Sequence, residues 1–212
     1  MHEEQYSVIE KAYNSNTYYE EYRKDRKLTD CERTLLKQFV SELPRPGKQV
    51  LDIGCGDADL YDSYLRYRCG CDITGVDISA RQIRKATDRL KNCHFIHGNF
   101  LTVCDESMFG KYDGILCMYT LFNFMEEDQL TALQLMNKCL KENGTALINV
   151  RKEVTVSMKY ALKWCGEPMY WSLPGVTQTL LWCTQAGFSC RVFTNPDNSD
   201  YVFILLRKEH SI

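Results

Sequence analysis

The stretch Val50-Leu51-Asp52-Ile53-Gly54-Cys55-Gly56-Asp57-Ala58-Asp59-Leu60 limits the fold more than any other part of the chain. A mostly apolar run leads straight into two glycines, and amphipathic sequence follows. That order describes a buried strand ending in a tight turn that feeds a helix. Gly54 and Gly56 permit positive φ and let the backbone approach a neighbour closely. A second strand, Ile73–Asp77, follows after one helix length, so the two strands run parallel through a right-handed crossover.

The same rhythm continues. Gln49–Ile53, Ile73–Asp77, Cys93–His97, Tyr112–Met118 and Thr145–Val150 read as strands. Asp57–Arg66, a helix capped by Ser79 and running to Leu90, and Glu126–Leu140 read as the helices between them, with Lys141–Gly144 as a turn. Pro174–Ala186 is a further helix closed by Gly187. Phe188–Thr194 and Tyr201–Leu206 then pair as an antiparallel hairpin about a turn containing Asn195, Pro196, Asp197 and Asn198. The expected fold is α/β: a doubly wound, mostly parallel seven-stranded sheet with a C-terminal antiparallel hairpin and an N-terminal helical segment.

Residues 1–47 form that helical cap segment. Thr29 and Glu32 have the spacing of a capping box, and Leu35, Leu36, Phe39, Val40 and Leu43 follow at helical intervals. Pro44, Pro46 and Gly47 break the chain. Residues 48–212 form the ligand-binding domain, one domain overall. Within it, residues 151–173, with Tyr160, Trp164, Tyr170 and Trp171, follow neither period and read as a candidate insertion.

At 212 residues and 44% hydrophobic content the chain buries enough surface to need no disulfide or structural metal. Its 26 basic and 28 acidic residues carry no footprint of a nucleic-acid binder. Eleven cysteines, an odd number without a C-x-x-C, read as reduced thiols among apolar neighbours. The opening MHEEQYSVIE is acidic where a signal peptide is basic, and no apolar run reaches the roughly 18–20 residues of a membrane helix. A cytoplasmic protein without membrane or nucleic-acid partners is expected.

Asp77 lies 23 residues after Gly54, at the end of the second strand. A carboxylate there faces the two hydroxyls of a ribose held over the glycine turn. Asp57 and Asp59 at the start of the following helix repel a pyrophosphate. They suit a ligand with ammonium and sulfonium cations, which favours S-adenosylmethionine over a dinucleotide. His94 and His97, three apart in a strand, face opposite sides and cannot join Cys69 and Cys71 around one ion, so no metal is expected.

In this order the motifs resemble those of the class I S-adenosylmethionine-dependent methyltransferases of the small-molecule type, over about residues 48–150 and more loosely to 207. Asp52–Ala58 fits the pattern D-x-G-C-G-x-G except at Ala58. Val76-Asp77-Ile78-Ser79 fits the second motif. Asn99-Phe100 stands where the family carries an acid–apolar pair, and Leu140-Lys141-Glu142-Asn143-Gly144 resembles its L-K-P-G-G turn. The resemblance implies that Asp52, Gly54, Cys55, Gly56, Asp77, Ile78, Asn99, Phe100 and Cys117 hold S-adenosyl-L-methionine, leaving S-adenosyl-L-homocysteine. The Asn99 carbonyl would accept from the adenine amino group and Phe100 would pack on the ring. The methyl group would pass by direct displacement to a small-molecule acceptor. Tyr18, Tyr22, Tyr119, Phe122, Arg151 and Trp171 are the acceptor-site candidates. Arg23, Arg26 and Arg151 could hold an anionic acceptor, with solvated surface as the preferred reading of each, and no catalytic residue stands out, since Asp113 sits too early in its strand. The alternatives are a binding protein that keeps the S-adenosylmethionine pocket without turnover, and a methyltransferase acting on RNA or protein.

Overall fold

The computed structural model describes residues 3–43, 48–152, 160–198 and 200–209. In chain order the elements are α1 (Glu3–Asn14), a π-helix (Tyr18–Arg23), α2 (Asp30–Glu42), β1 (Gln49–Ile53), α3 (Tyr61–Cys69), β2 (Asp72–Asp77), α4 (Ala80–Arg89), β3 (His94–His97) and α5 (Phe100–Val103). There follow β4 (Tyr112–Cys117), α6 (Glu126–Cys139), β5 (Leu140–Arg151), β6 (Tyr160–Trp164), β7 (Glu167–Trp171), α7 (Gly175–Gln185), β8 (Phe188–Thr194) and β9 (Tyr201–Lys208).

Seven strands form one sheet in the order β3-β2-β1-β4-β5-β9-β8. β1 to β5 are parallel, β9 is antiparallel to β5, and β8 is antiparallel to β9. This is the doubly wound sheet with a closing hairpin that the sequence predicts. β4 is buried at every residue and β1 at all but Gln49, because helices cover both faces. Strand order reverses between β1 and β4, which opens a crevice at their carboxyl ends.

The capping box of α2 forms as expected: Thr29 Oγ1 accepts from Glu32 N, and the Glu32 carboxylate accepts from Thr29 N at 2.9 Å. The helix buries Leu35, Leu36, Phe39 and Val40. Its approach to the sheet is close enough that a Cβ on Gly114 would lie 2.5 Å from Cζ of Phe39. Glycine in β4 is therefore what allows α2 to pack there. The expected break at Pro44, Pro46 and Gly47 lies outside the described residues.

Four local expectations change. The helix expected from Asp57 starts at Tyr61, because Gly56 and Ala58 both adopt positive φ and keep the chain turning. The expected turn Lys141–Gly144 is absorbed into β5, whose pairing with β4 shifts register between Tyr112 and Gly114 while Asn143 takes positive φ. Residues 160–171 form an antiparallel hairpin, β6–β7, around Cys165 and Gly166, both at positive φ. Cysteine is not a residue that announces such a turn, and Pro168 argues against a strand. Finally, the N-terminal segment contains a π-helix, with Lys24 N donating to Tyr19 O. Among the described residues no helix is long and apolar enough to cross a membrane.

Candidate functional site

A cavity of about 480 Å³ occupies the crevice at the carboxyl ends of β1, β2 and β4, within the size range of small-ligand sites. Its floor is the glycine turn Gly54–Gly56, the end of β2 with Asp77 and Ile78, the segment Gly98–Phe100 after β3, and Met118–Thr120 after β4. Its roof comes from α1, the π-helix, the β6–β7 hairpin and Tyr201 of β9. The N-terminal segment thus closes the mouth that the sheet leaves open.

The floor is shaped by two backbone constraints. A Cβ on Gly54 would lie 2.0 Å from Thr120 Oγ1, so only glycine fits beneath the loop after β4. That loop carries Tyr119 at φ +56°, with its N–H donated to the buried Asn149 Oδ1. A bulky residue in the left-handed region costs on the order of 1–3 kcal/mol, and such positions concentrate at ligand sites.

Asp77 faces the cavity from the end of β2. Its carboxylate accepts from Gly56 N and from Ser79 N, each at 2.8 Å. Burial pushes its pKa up to about 6, against the two amide donors that pull it down. Cys55, Gly54, Gly56, Ile78, Asn99 and Phe100 line the same cavity. Asn99 also caps α5, its Oδ1 accepting from Leu101 N at 3.1 Å, so that oxygen is shared between a structural bond and any ligand.

Asp52 and Cys117 are buried beside the cavity and do not line it. Asp52 lies against Asp62, and burial raises both carboxyls above the usual range, so that the pair retains a proton. Asp113 sits at the far end of its strand, accepting from Gln49 N and Lys141 Nζ.

The glycine-loop acids do not serve as expected. Asp57 is buried and clamped by Arg23 from the π-helix at 2.5 Å and by Arg89 of α4 at 3.1 Å, while Asp59 lies 3.5 Å from Arg23. Their charge is neutralised within the protein and is not offered to a ligand cation. Arg23 is correspondingly buried, and Arg26 donates to Glu32 at 2.6 Å and to the Tyr61 hydroxyl at 3.0 Å. Both arginines line the cavity, where the sequence suggested surface. The spacing of Asp57, Asp59 and Glu32 against Arg23, Arg26 and Arg89 does not show which will meet, so only the docked helix reveals it.

All six acceptor-site candidates, Tyr18, Tyr22, Tyr119, Phe122, Arg151 and Trp171, line the cavity. The five aromatic ones belong to a continuous arc of rings. Tyr13, Tyr18 and Tyr22 pack on Trp164 at 4.9, 5.5 and 5.2 Å between centroids. Trp164 meets Trp171 at 5.9 Å, Trp171 meets Phe122 at 6.2 Å, Phe122 meets Tyr201 at 6.3 Å, and Tyr201 meets Tyr119 at 5.3 Å. Burial raises the phenols of Tyr13, Tyr18, Tyr61 and Tyr119, that of Tyr18 to about 12, so they remain neutral near pH 7. The side chains of Tyr160 and Tyr170 lie outside the described residues. Trp164, named with the candidate insertion in the sequence, does line the cavity, whereas Tyr201 and Gln82 carried no individual signal: each is brought there by an element distant in sequence.

Two buried acceptor atoms on lining residues, Gln82 Oε1 and Asn123 Oδ1, have no donor among the described residues. A ligand bearing N–H groups would satisfy them. Gln82 Nε2 donates to the Tyr13 carbonyl, tying α4 to α1.

Residues 50–144 match the family model described as a methyltransferase domain. The chain is 26% identical over 161 residues to the ubiquinone biosynthesis O-methyltransferase of Haemophilus ducreyi, covering 68% of this chain and 66% of that protein. An uncharacterized protein of Haemophilus influenzae is 25% identical, with 72% and 63% covered. The chain therefore spans just under two thirds of the length of these curated relatives. Among solved structures, the Burkholderia thailandensis 1,6-didemethyltoxoflavin-N1-methyltransferase superposes with a TM-score of 0.75 at 17% identity, covering 98% of this chain and 90% of that one. The magnesium protoporphyrin IX methyltransferase of Synechocystis, with bound donor, gives 0.71 at 14% identity and 97% of each chain.

Proposed function

We propose that this chain is a class I S-adenosylmethionine-dependent methyltransferase and that it transfers a methyl group to a small-molecule acceptor. The observation that carries the reading is the Asp77 carboxylate at the end of β2, facing a cavity whose floor is the Gly54–Gly56 turn. Asp77 accepts from the two ribose hydroxyls, and Ile78 and Phe100 enclose the adenine. Gln82 Oε1 and Asn123 Oδ1, buried without donors, fit the ligand's amino and ammonium groups. These atoms replace Asp57 and Asp59 as the polar partners of the donor. Bound S-adenosylmethionine supplies a methyl group on a sulfonium, a leaving group that needs no further activation.

The protein's part is then to position and to exclude water. Holding both reactants in line is worth roughly 7–11 kcal/mol of barrier. The roof of aromatic rings keeps solvent from the reacting atoms. Among the described residues, the acceptor side is lined by Arg26, Arg151 and phenols, those of Tyr18 and Tyr119 held neutral by burial, and no histidine joins them. The acceptor atom therefore brings its own free lone pair and reacts in its deprotonated form. The free thiols support a reducing, cytoplasmic setting.

Calorimetric titration with S-adenosylmethionine and S-adenosylhomocysteine, with NADH and NADPH as controls, tests the donor. Micromolar binding of the first two is expected; binding of the nicotinamides alone defeats the reading. Mass-spectrometric detection of a methylated acceptor then separates an enzyme from a binder without turnover.

Donor affinity also depends on pH. Asp77 accepts from both hydroxyls only when ionised, and its pKa in the free protein is about 6. Affinity is expected to be constant above pH 7 and to fall about tenfold per unit below pH 6. A flat profile from pH 5 to 8 would remove Asp77 from the donor site.

A further inference from the structure

The charge and shape of the roof carry the reading one step further, resting on the assignment of this cavity to methyl transfer. We propose that the acceptor is a planar conjugated acid, lying flat in the aromatic arc with its carboxylate held by Arg26 and Arg151.

Both guanidiniums sit at one end of the arc. That of Arg26 lies 5.0 Å from the centroid of Tyr119, and that of Arg151 lies 5.9 Å from the centroid of Tyr201. Those two rings are themselves 5.3 Å apart, so both cations converge on one tyrosine pair. Among the described residues, neither is fully used by the protein. Arg26 spends Nη2 on Glu32 and Tyr61, while its Nη1 is buried without a described acceptor. The described ion-pair partner of Arg151 is the exposed Asp200, at 3.4 Å. The indole N–H of Trp171, on the wall between these cations and the π-helix tyrosines, is also buried without an acceptor.

Free donors at one end of an aromatic slot call for an acceptor-only group, and a planar fork matches a carboxylate. Rings also enclose cations, so a methylated amine has to be weighed. Against it, Asp77 is the one carboxylate among the described lining residues, and it lies at the donor end, bonded to the Gly56 and Ser79 amides. Arg26 and Arg151 would repel an ammonium ion at the other end. Stacked guanidiniums extend the flat wall, which selects against bulky saturated acceptors.

The test uses the protein saturated with S-adenosylhomocysteine and follows tryptophan fluorescence, since Trp164 and Trp171 lie in the arc. Three probes of one size are titrated: 4-hydroxybenzoate, the neutral 4-hydroxybenzamide and phenyltrimethylammonium. The acid is expected to bind at least tenfold tighter than the amide, and Arg151→Gln to abolish that preference. Arg26→Gln should do the same. If that variant fails to fold because Glu32 is left unpaired, Arg26→Lys keeps the charge beside Glu32 but loses the fork, and should cut the preference severalfold. Equal binding of acid and amide, tighter binding of the ammonium probe, or no saturable binding of the acid overturns the proposal. Failure of S-adenosylhomocysteine to bind at the first step instead defeats the methyltransferase reading.

Discussion

Replacing Asp77 with alanine is expected to weaken S-adenosylmethionine binding about a hundredfold without loss of fold. The carboxylate accepts from two ribose hydroxyls in a buried setting, where a hydrogen bond to a charged group is worth about 1.5–3 kcal/mol. Two of them at the lower bound amount to about 3 kcal/mol, which is the hundredfold. The substitution also frees Gly56 N and Ser79 N, but both border the cavity, where water can take the place of the carboxylate. Stability is therefore expected to change little. At neutral pH a small gain is expected, since a carboxyl whose folded pKa is raised costs folding free energy once it ionises. Asp77→Asn keeps one acceptor and should lose nearer tenfold. Calorimetry at pH 7.5 with thermal melts of each variant checks the pattern. An Asp77→Ala protein that binds normally would move the ribose elsewhere.

Arg23→Leu is expected to cost about 3–5 kcal/mol of stability, the usual result of breaking one side of a buried ion pair. Arg23 and Asp57 are 8% and 2% exposed in their side chains and meet at 2.5 Å, so water screens the pair poorly. Arg89 still reaches Asp57 at 3.1 Å but is itself a third exposed, which places the loss at the lower end of that range. The pair also fastens the π-helix to the glycine turn. Donor affinity should fall with stability, because the roof loses its anchor over the floor. Adding Asp57→Asn removes the stranded charge and should restore part of the loss. Urea denaturation of the parent protein and the two variants measures both terms, and a loss under about 1 kcal/mol for Arg23→Leu would show that Arg89 suffices alone.

The legible parts of this protein are those whose signal is local. The Gly54–Gly56 turn, the capping box at Thr29 and Glu32, the Ser79 cap and the alternation of strands with helices each depend on residues a few positions apart. The β6–β7 hairpin was hidden because its turn uses Cys165 where asparagine or glycine is usual. The π-helix was hidden because a widened turn leaves no composition of its own.

The same division separates the donor half of the cavity from the acceptor half. Gly54, Gly56, Asp77, Ile78 and Asn99 sit at the ends of consecutive strands, and parallel topology brings those ends to one edge. Their place could therefore be read from order and spacing alone. The partners of Asp57 could not: a carboxylate on a glycine turn looks the same whether it faces a ligand or an arginine. Only the docking of the N-terminal segment, which brings Arg23 to Asp57 across 34 positions, decides between them. The aromatic arc is likewise a tertiary product, since Tyr13, Trp164, Phe122 and Tyr201 come from four elements with no shared period. Sequence determined the sheet, its reversal point and the edge where a nucleoside is held, because hydrophobic period and turn chemistry act over short range. Tertiary packing alone decided which charges are spent inside the protein and which remain for an acceptor, because pairing depends on distances between chain segments that no local pattern encodes.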